Sequence, residues 1–182
     1  MVTESQLEHR VLKHLACVKC RPGTPYLRRC GLGRGFGAID LVLLPTSGRR
    51  KMVLVEAKRV SSADATSKVV GQLLMYYAAT LAIGHHGVRR LHRYCEDKAV
   101  TAKSKKMKSL QALAGGVSGA ENAARLIRHG RRLSPDEVGL YLVLDKKPRP
   151  TLLALTRALR QHGLKIDILV AKSNGVSVCR RA

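Results

Sequence analysis

Apolar residues recur every three or four positions at the start of the chain. In TESQLEHRVLKHLA, residues 3–16, Leu7, Val11, Leu12 and Leu15 form one stripe, the period of an amphipathic helix. Thr3 followed three residues later by Gln6 forms a capping box at its start. At about 100° per residue, Glu4 and Glu8 fall inside that stripe and not opposite it. Carboxylates turned toward a core are costly unless something compensates them. Residues 17–37, CVKCRPGTPYLRRCGLGRGFG, hold no acidic residue and predict a loop with a short strand near Tyr26–Arg29. AIDLVLLP, residues 38–45, is a strand stopped by Pro45; TSGR is a turn; KMVLVEAKR, residues 51–59, is a second strand, so the two form a hairpin. A helix follows over about 66–83 and ends at Gly84.

Residues 85–135 break this alternation. They carry twelve Lys and Arg against three acids, and GGVSG at 115–119 divides two predicted short helices. The pattern is that of a basic insertion. Regular elements then return: a strand at 139–145, a helix at 150–162 with Pro150 at its start and Gly163 at its end, a strand at 164–171, and a short edge strand at 176–179. Strand–helix–strand of this length implies a parallel pair. The order predicts a single α/β domain over 1–182, an α/β sandwich around a mixed sheet, with its core in 1–84 and 136–182. No internal repeat is present.

Charge changes the picture more than length does. Thirty-four Lys and Arg stand against 12 Asp and Glu, a formal net charge of +22. Such an excess repels itself in a compact chain and points to a polyanionic partner, nucleic acid first and anionic membrane second. Aromatic residues are only 3% of the chain, with no Trp. That disfavours a platform of stacked bases and favours contact with backbone phosphates. Apolar runs such as LLMYYAATLAIG are short of the roughly 20 residues that span a bilayer. MVTESQLEHR does not read as a signal peptide. The expectation is a soluble, cytoplasmic protein.

Cys17, Cys20, Cys30, Cys95 and Cys179 are odd in number, against a disulfide framework. Cys17-x-x-Cys20 with Cys30 invites a zinc or iron–sulfur reading, to which His9, His14 or Cys95 could add. With no second close pair, reduced and unliganded thiols are the expectation. GLGRGFG at 31–37 precedes a strand, whereas a dinucleotide-binding loop follows one. His85-His86 reads as phosphate contact or surface.

The chemistry concentrates on the hairpin. Along 51–59, Leu54, Glu56 and Lys58 share one face and Val53, Val55, Ala57 and Arg59 the other. Asp40 lies on the neighbouring strand. Two carboxylates close together repel, and a bound divalent cation relieves that repulsion. Oxygen donors select a hard ion, Mg²⁺ or Mn²⁺. Lys58 beside it can position an attacking water or offset charge on a phosphate.

Asp40 with Glu56-Ala57-Lys58 resembles the signature of the PD-(D/E)XK, or restriction-endonuclease-like, nucleases, although the motif's proline is absent before Asp40. Gln72 and Tyr76 resemble the Gln-x-x-x-Tyr motif of RecB-like nucleases, and GQLLMYY is similar to the matching helix of NucS-type endonucleases. ESQLEHRVLKHL is similar to the first helix of VRR-NUC and Holliday-junction-resolvase nucleases. The resemblance covers residues 3–83 by motif and 139–171 only by order of elements. It implies a restriction-endonuclease-like α/β/α core carrying the basic helical insertion. It also implies metal-dependent hydrolysis of DNA phosphodiesters, leaving 5′-phosphate and 3′-hydroxyl ends. Asp40, Glu56 and the Ala57 carbonyl would hold Mg²⁺ or Mn²⁺, with Glu4 or Glu8 contributing through water and Glu8 favoured. Lys58 would orient the water, and Gln72 would position Lys58 or a phosphate. Tyr76, Arg28, Arg29, Arg34, Lys103, Lys105, Lys106 and Lys108 would meet the DNA. A homodimer is compatible with this reading, as is association with a bacterial nucleoid. The alternative class is a non-catalytic nucleic-acid-binding protein that keeps the fold; a membrane-surface protein comes third.

Overall fold

A computed structural model of the chain describes residues 2–22, 24, 26–31, 38–45, 48–62, 67–82, 108–109, 133–172 and 175–179; of 31, 67, 82, 108 and 109 only the backbone is described. Helix α1 spans Glu4–Lys13 and opens with the expected capping box, in which Gln6 N–H donates to Thr3 Oγ1 at 3.2 Å and Thr3 N–H to Gln6 Oε1 at 2.8 Å. It stops a turn earlier than its periodicity predicts. A 3-10 turn over Leu15–Val18, closed by Lys19 in the left-handed region, keeps Leu15 and Val18 buried while redirecting the chain. The strands are β1 (Tyr26–Gly31), β2 (Ala38–Leu43), β3 (Met52–Lys58), β4 (Lys108–Ser109), β5 (Val138–Leu144), β6 (Ile166–Lys172) and β7 (Gly175–Val178). Helix α2 spans Ser67–Ala82 and α3 spans Pro150–Gln161. Gly163, at φ +82°, lets the chain turn back after α3, with Leu164 N–H donating to Leu159 O at 2.9 Å.

The sheet is mixed, in the order β4-β1-β2-β3-β5-β6-β7. β2 is antiparallel to β1 and β3, and β7 to β6, whereas β3, β5 and β6 run parallel. Helices cover both faces. Leu7, Val11 and Leu15 pack with Leu41, Leu43, Val53, Val55, Ala57, Tyr141 and Leu169 on one side. Val69, Val70, Leu73, Tyr76 and Leu152 pack with Ile39, Val42, Leu54, Leu140, Leu142 and Ile168 on the other. β3, β5 and β6 are buried on both faces, which is why they read as continuous apolar runs. Among the described residues no helix is long and apolar enough to cross a membrane.

Two features of the sheet position the site. In β2, Ile39 faces the α2 side but Leu41 and Leu43 face the α1 side. Strict alternation would put all three on one face, so β2 slips phase at Asp40. β1 slips at the matching place: Leu27 and Cys30 both pack on the α2 side, with Arg29 between them at φ +49°. Arg29 and Asp40 face each other between the register pairs Arg28↔Leu41 and Cys30↔Ile39. Beyond this point the β2–β3 ladder ceases; its pairs are Leu41↔Val55, Val42↔Leu54 and Leu43↔Val53. Glu56, Ala57 and Lys58 pair with β5 alone, at Leu142, Val143 and Leu144.

The loop at 32–37, Arg34, His85, His86, Cys95, Lys103, Lys105, Lys106 and the predicted insertion helices lie outside the described residues. Within the insertion, the sequence predicts helix and loop, but Lys108 and Ser109 form a strand. They pair in parallel with Cys30 and Gly31, which bonds the backbone of this lysine-rich segment to the β1 edge of the sheet.

Candidate active site

Where β2 leaves β3, the Asp40 side chain fills the ladder position. Its Oδ2 accepts the backbone N–H of Ala57 at 2.9 Å. Glu56 stands next to that peptide, and its Oε1 lies 3.2 Å from Lys58 Nζ. Both carboxylates and Lys58 belong to this one cluster, as the alternation of KMVLVEAKR and the neighbouring Asp40 predict.

Helix α1 brings two more carboxylates. Glu4 Oε2 lies 3.6 Å from Lys58 Nζ, so the lysine is held between Glu4 and Glu56. Glu8 is fully buried. Arg28 Nε donates to Glu8 Oε2 at 2.8 Å, and Arg29 approaches Oε1 at 3.7 Å. The other edge of Arg29 lies 3.6 Å from Asp40 Oδ1. The two glutamates therefore divide the roles left open between them: Glu4 reaches the lysine, and Glu8 reaches the arginines and, through Arg29, Asp40. The compensation that a carboxylate in an apolar stripe requires is supplied by Arg28 and Arg29 from β1.

Electrostatics follow from burial. Desolvation pushes the Glu56 carboxyl up to about 7, and the neighbouring Asp40 charge adds to this against the pull of Lys58. Asp40 is raised by burial despite the Ala57 N–H, Lys58 and Arg29. Glu8 is raised by burial despite its bond to Arg28. Burial alone would lower Lys58, but Glu56 and Asp40, with Glu4 behind them, outweigh it and hold the ammonium charged. Four carboxylates meet three cations here: Glu4, Glu8, Asp40 and Glu56 against Arg28, Arg29 and Lys58.

The family-derived metal assignment can be tested against these groups. Among the described residues, no three His, Cys, Asp or Glu side chains converge into a ready cage. Glu56 Oε2 and Glu8 Oε1 are nevertheless buried without a hydrogen-bond partner, and unpaired buried oxygens are rare because each costs free energy. An all-oxygen set of crowded carboxylates fits a hard divalent ion better than a soft one. Asp40, Glu56 and the Ala57 carbonyl fit as direct donors. Glu8 stands further back behind Arg29.

On α2, the structure gives Tyr76 a different part from the DNA contact expected of it. It is buried, and its hydroxyl donates to the Ala38 carbonyl at 3.2 Å. It braces the first residue of β2, two residues before Asp40. Gln72 is half-buried with its Oε1 unpaired, and no hydrogen bond joins that oxygen to Lys58. Arg28 and Arg29, expected to meet phosphate, are instead engaged by Glu8 and Asp40 while remaining partly open to solvent. Cys17, Cys20 and Cys30 do not meet: Cys17 and Cys20 pack on the α1 side of the sheet and Cys30 on the α2 side. Burial raises their thiols, to about 11, 11 and 12 respectively.

Sequence reasoning did not find the clamp behind Lys58. Asp145 Oδ1 accepts Val60 N–H at 2.7 Å, and Arg149 donates to Val60 O at 3.2 Å. The β5–α3 connection thus fixes the chain as it leaves β3. An Asp as the last residue of the strand predicted over 139–145 is the one signal that marked it. No protein-family model, curated protein or solved structure matches the chain.

Proposed function

We propose that the chain is a divalent-metal-dependent DNA nuclease of the restriction-endonuclease-like class, hydrolysing phosphodiester bonds. One arrangement carries the reading: Asp40 accepts the Ala57 N–H where β2 and β3 part, beside a buried Glu56 with one unpaired oxygen and a lysine at 3.2 Å from the other. Asp40, Glu56 and the Ala57 carbonyl would hold Mg²⁺ or Mn²⁺, which when bound polarises a phosphate and acidifies a water. Lys58, confined between Glu56 and Glu4, presents a charged ammonium that orients the water and offsets charge on the phosphate. Tyr76 keeps the start of β2 in place and hence Asp40. Gln72, with an unpaired buried oxygen, is the remaining group for orienting a donor in the site. The net charge of +22 supports a polyanion as substrate. A DNA substrate places the work in the cytoplasm, at the nucleoid in a bacterium.

The test is a cleavage assay with Mg²⁺ or Mn²⁺ on single-stranded, duplex and branched DNAs, with Lys58→Ala as control. Cleavage by the unaltered chain and none by the variant is the expected result. A second reading, a nucleic-acid-binding protein without catalysis, draws on one observation: Arg28, Arg29 and Lys58 already neutralise most of the buried acid charge. DNA binding with no divalent-ion binding would favour it.

A further inference from the structure

Arg28 and Arg29 are adjacent in sequence, yet their guanidinium groups are held differently. Arg28 makes formed hydrogen bonds, Nε to Glu8 Oε2 at 2.8 Å and Nη2 to Ser5 Oγ at 2.9 Å. Arg29 sits 3.7 Å from Glu8 Oε1 and 3.6 Å from Asp40 Oδ1. Both distances exceed the roughly 2.7–3.2 Å of an N–H···O bond, so charge holds it there without a completed bond. Glu8 Oε1, the oxygen it faces, has no hydrogen-bond partner although Glu8 is fully buried. The Arg29 side chain is 57% exposed, so it has solvent to move into. Its backbone, at φ +49°, is the slip in β1 that turns the side chain toward the α1 face. A β-carbon disfavours that conformation, and among the described residues the guanidinium has only the two longer contacts to set against it.

From these contacts we infer that Arg29 is a displaceable counter-cation. It bridges Glu8 and Asp40 in the metal-free protein and yields its place when a divalent ion arrives. The inference rests on the nuclease reading, because it takes Asp40 and Glu8 as the carboxylates that serve the ion. Physically, two buried carboxylates facing one another repel, and a positive charge between them lowers that cost. A loosely held guanidinium does this and can leave, whereas Arg28, tied by two hydrogen bonds, stays. Arg29 is thus a positioning residue for the carboxylates and a competitor of the metal.

The test is Mn²⁺ binding to the full chain, measured by titration calorimetry without DNA, for the unaltered protein, Arg29→Gly and Arg28→Ala. Glycine accepts φ +49° without strain, so the backbone slip survives the substitution. Arg29→Gly should bind Mn²⁺ about tenfold more tightly, the size expected from removing one partly screened charge beside the site. Methylguanidinium, against a sodium chloride control, should compete with Mn²⁺ in Arg29→Gly and not in the unaltered protein or Arg28→Ala. On the unaltered protein, NMR should show the Arg29 Nε–H signal shifting on addition of Mg²⁺ while that of Arg28 stays. An unchanged or weaker Mn²⁺ affinity in Arg29→Gly, or a stationary Arg29 signal at saturating Mg²⁺, overturns the counter-cation and leaves the nuclease reading standing. Absence of Mn²⁺ binding in all three folded proteins overturns both.

Discussion

Asp40 and the backbone of Ala57 are joined by a hydrogen bond of 2.9 Å in which a side-chain oxygen takes the place of a strand carbonyl. The carboxylate therefore has two duties, satisfying a buried N–H and supplying charge to the site, and substitutions can separate them. Asp40→Ala removes the acceptor and should destabilise the fold by about 1–3 kcal/mol, the usual cost of an unsatisfied buried donor. Asp40→Asn keeps an acceptor oxygen and should lie closer to the unaltered protein in stability. Both should lose divalent-ion binding and cleavage. Urea denaturation alongside a Mn²⁺ titration checks this; Asp40→Ala as stable as the parent would mean that the hydrogen bond is not a structural one.

On the nuclease reading, Lys58 should separate binding from chemistry. It touches Glu56 and Glu4 but lies outside the apolar cores. Lys58→Met, which keeps the stem and removes the ammonium, should leave DNA affinity nearly unchanged and reduce cleavage by at least about a hundredfold, the range for removing a charge that stabilises the transition state. The Glu56 carboxyl should rise further, since Lys58 is one of the groups holding it down. Cleavage at a near-parental rate would move the catalytic assignment away from β3.

A pH dependence of stability follows from Glu56. Its carboxyl is raised from an ordinary 4.5 to about 7 in the folded chain by burial and by the Asp40 charge. The folded state thus holds a proton that the unfolded chain releases, and stability must fall as pH rises from about 4.5 to about 7. Asp40 and Glu8 are shifted in the same direction, also chiefly by burial. In metal-free buffer, thermal melts across this window should show the decline, Glu56→Gln should flatten it, and Mg²⁺ should restore stability at the alkaline end. Melts that rise with pH in the absence of divalent ions would contradict the assigned environment of Glu56.

The helix with two glutamates in its apolar stripe, the hairpin bearing Asp40, Glu56 and Lys58, and the parallel β5–α3–β6 unit could all be read from hydrophobic period and turn residues. Those features depend on local pattern, and local pattern is what a sequence displays. The slip at Arg29 and Asp40 could not be read, because no glycine stands at position 29 to announce a positive φ. A net charge of +22 points Arg28, Arg29 and Arg34 outward to phosphate, and the inward pairing of Arg28 and Arg29 with Glu8 leaves no mark in that charge. Tyr76 was expected in the substrate path because its spacing from Gln72 matched a motif. Its burial against Ala38 depends on how far β2 lies from α2, which no spacing states. The pairing of Lys108 with Cys30 joins residues far apart in the chain and left no local trace.

At the opposite end of the parallel strands, Gly139 leaves room for Arg50. A β-carbon at 139 would meet Arg50 Cδ at 3.0 Å and Val53 Cγ2 at 3.2 Å. Arg50 lies over the Tyr141 ring, with its carbon 5.2 Å from the centroid, hydrogen-bonds the Tyr141 hydroxyl, and reaches Asp167 at 3.6 Å. Gly139→Ala requires Arg50 and Val53 to give by a few tenths of an ångström, and should destabilise by about 1 kcal/mol through overpacking. Metal affinity should be unaffected, since the carboxylate cluster sits at the other end of β3. Arg50→Ala combined with Gly139→Ala should cost less than the sum of the two single changes, because the arginine's displacement is then already accounted for. Strict additivity in denaturation midpoints would mean that the clash is relieved elsewhere.

On the nuclease reading, the lysine cluster at 103–108 should serve affinity and not chemistry. Lys103, Lys105, Lys106 and Lys108 stand within a few residues of each other, and the backbone of Lys108 pairs with Cys30, the residue after Arg29. That pairing puts the cluster's end on the edge strand whose preceding residues, Arg28 and Arg29, contact Glu8. Long lysines neutralise phosphate charge from adaptable positions, whereas a cleavage site needs groups fixed on rigid strands. Replacing all four lysines by Gln should therefore weaken DNA binding about equally for every sequence. It should also flatten the salt dependence, by roughly 0.9 in the log–log slope for each phosphate of duplex DNA that is no longer neutralised. Mn²⁺ affinity and single-turnover cleavage of bound DNA should scarcely change, because among the described residues the cations that meet the carboxylates are Arg28, Arg29 and Lys58. Binding isotherms over a salt series decide the matter. An unchanged slope would remove the cluster from the DNA path and shift that path toward Arg21 and Arg34, on the segments flanking β1.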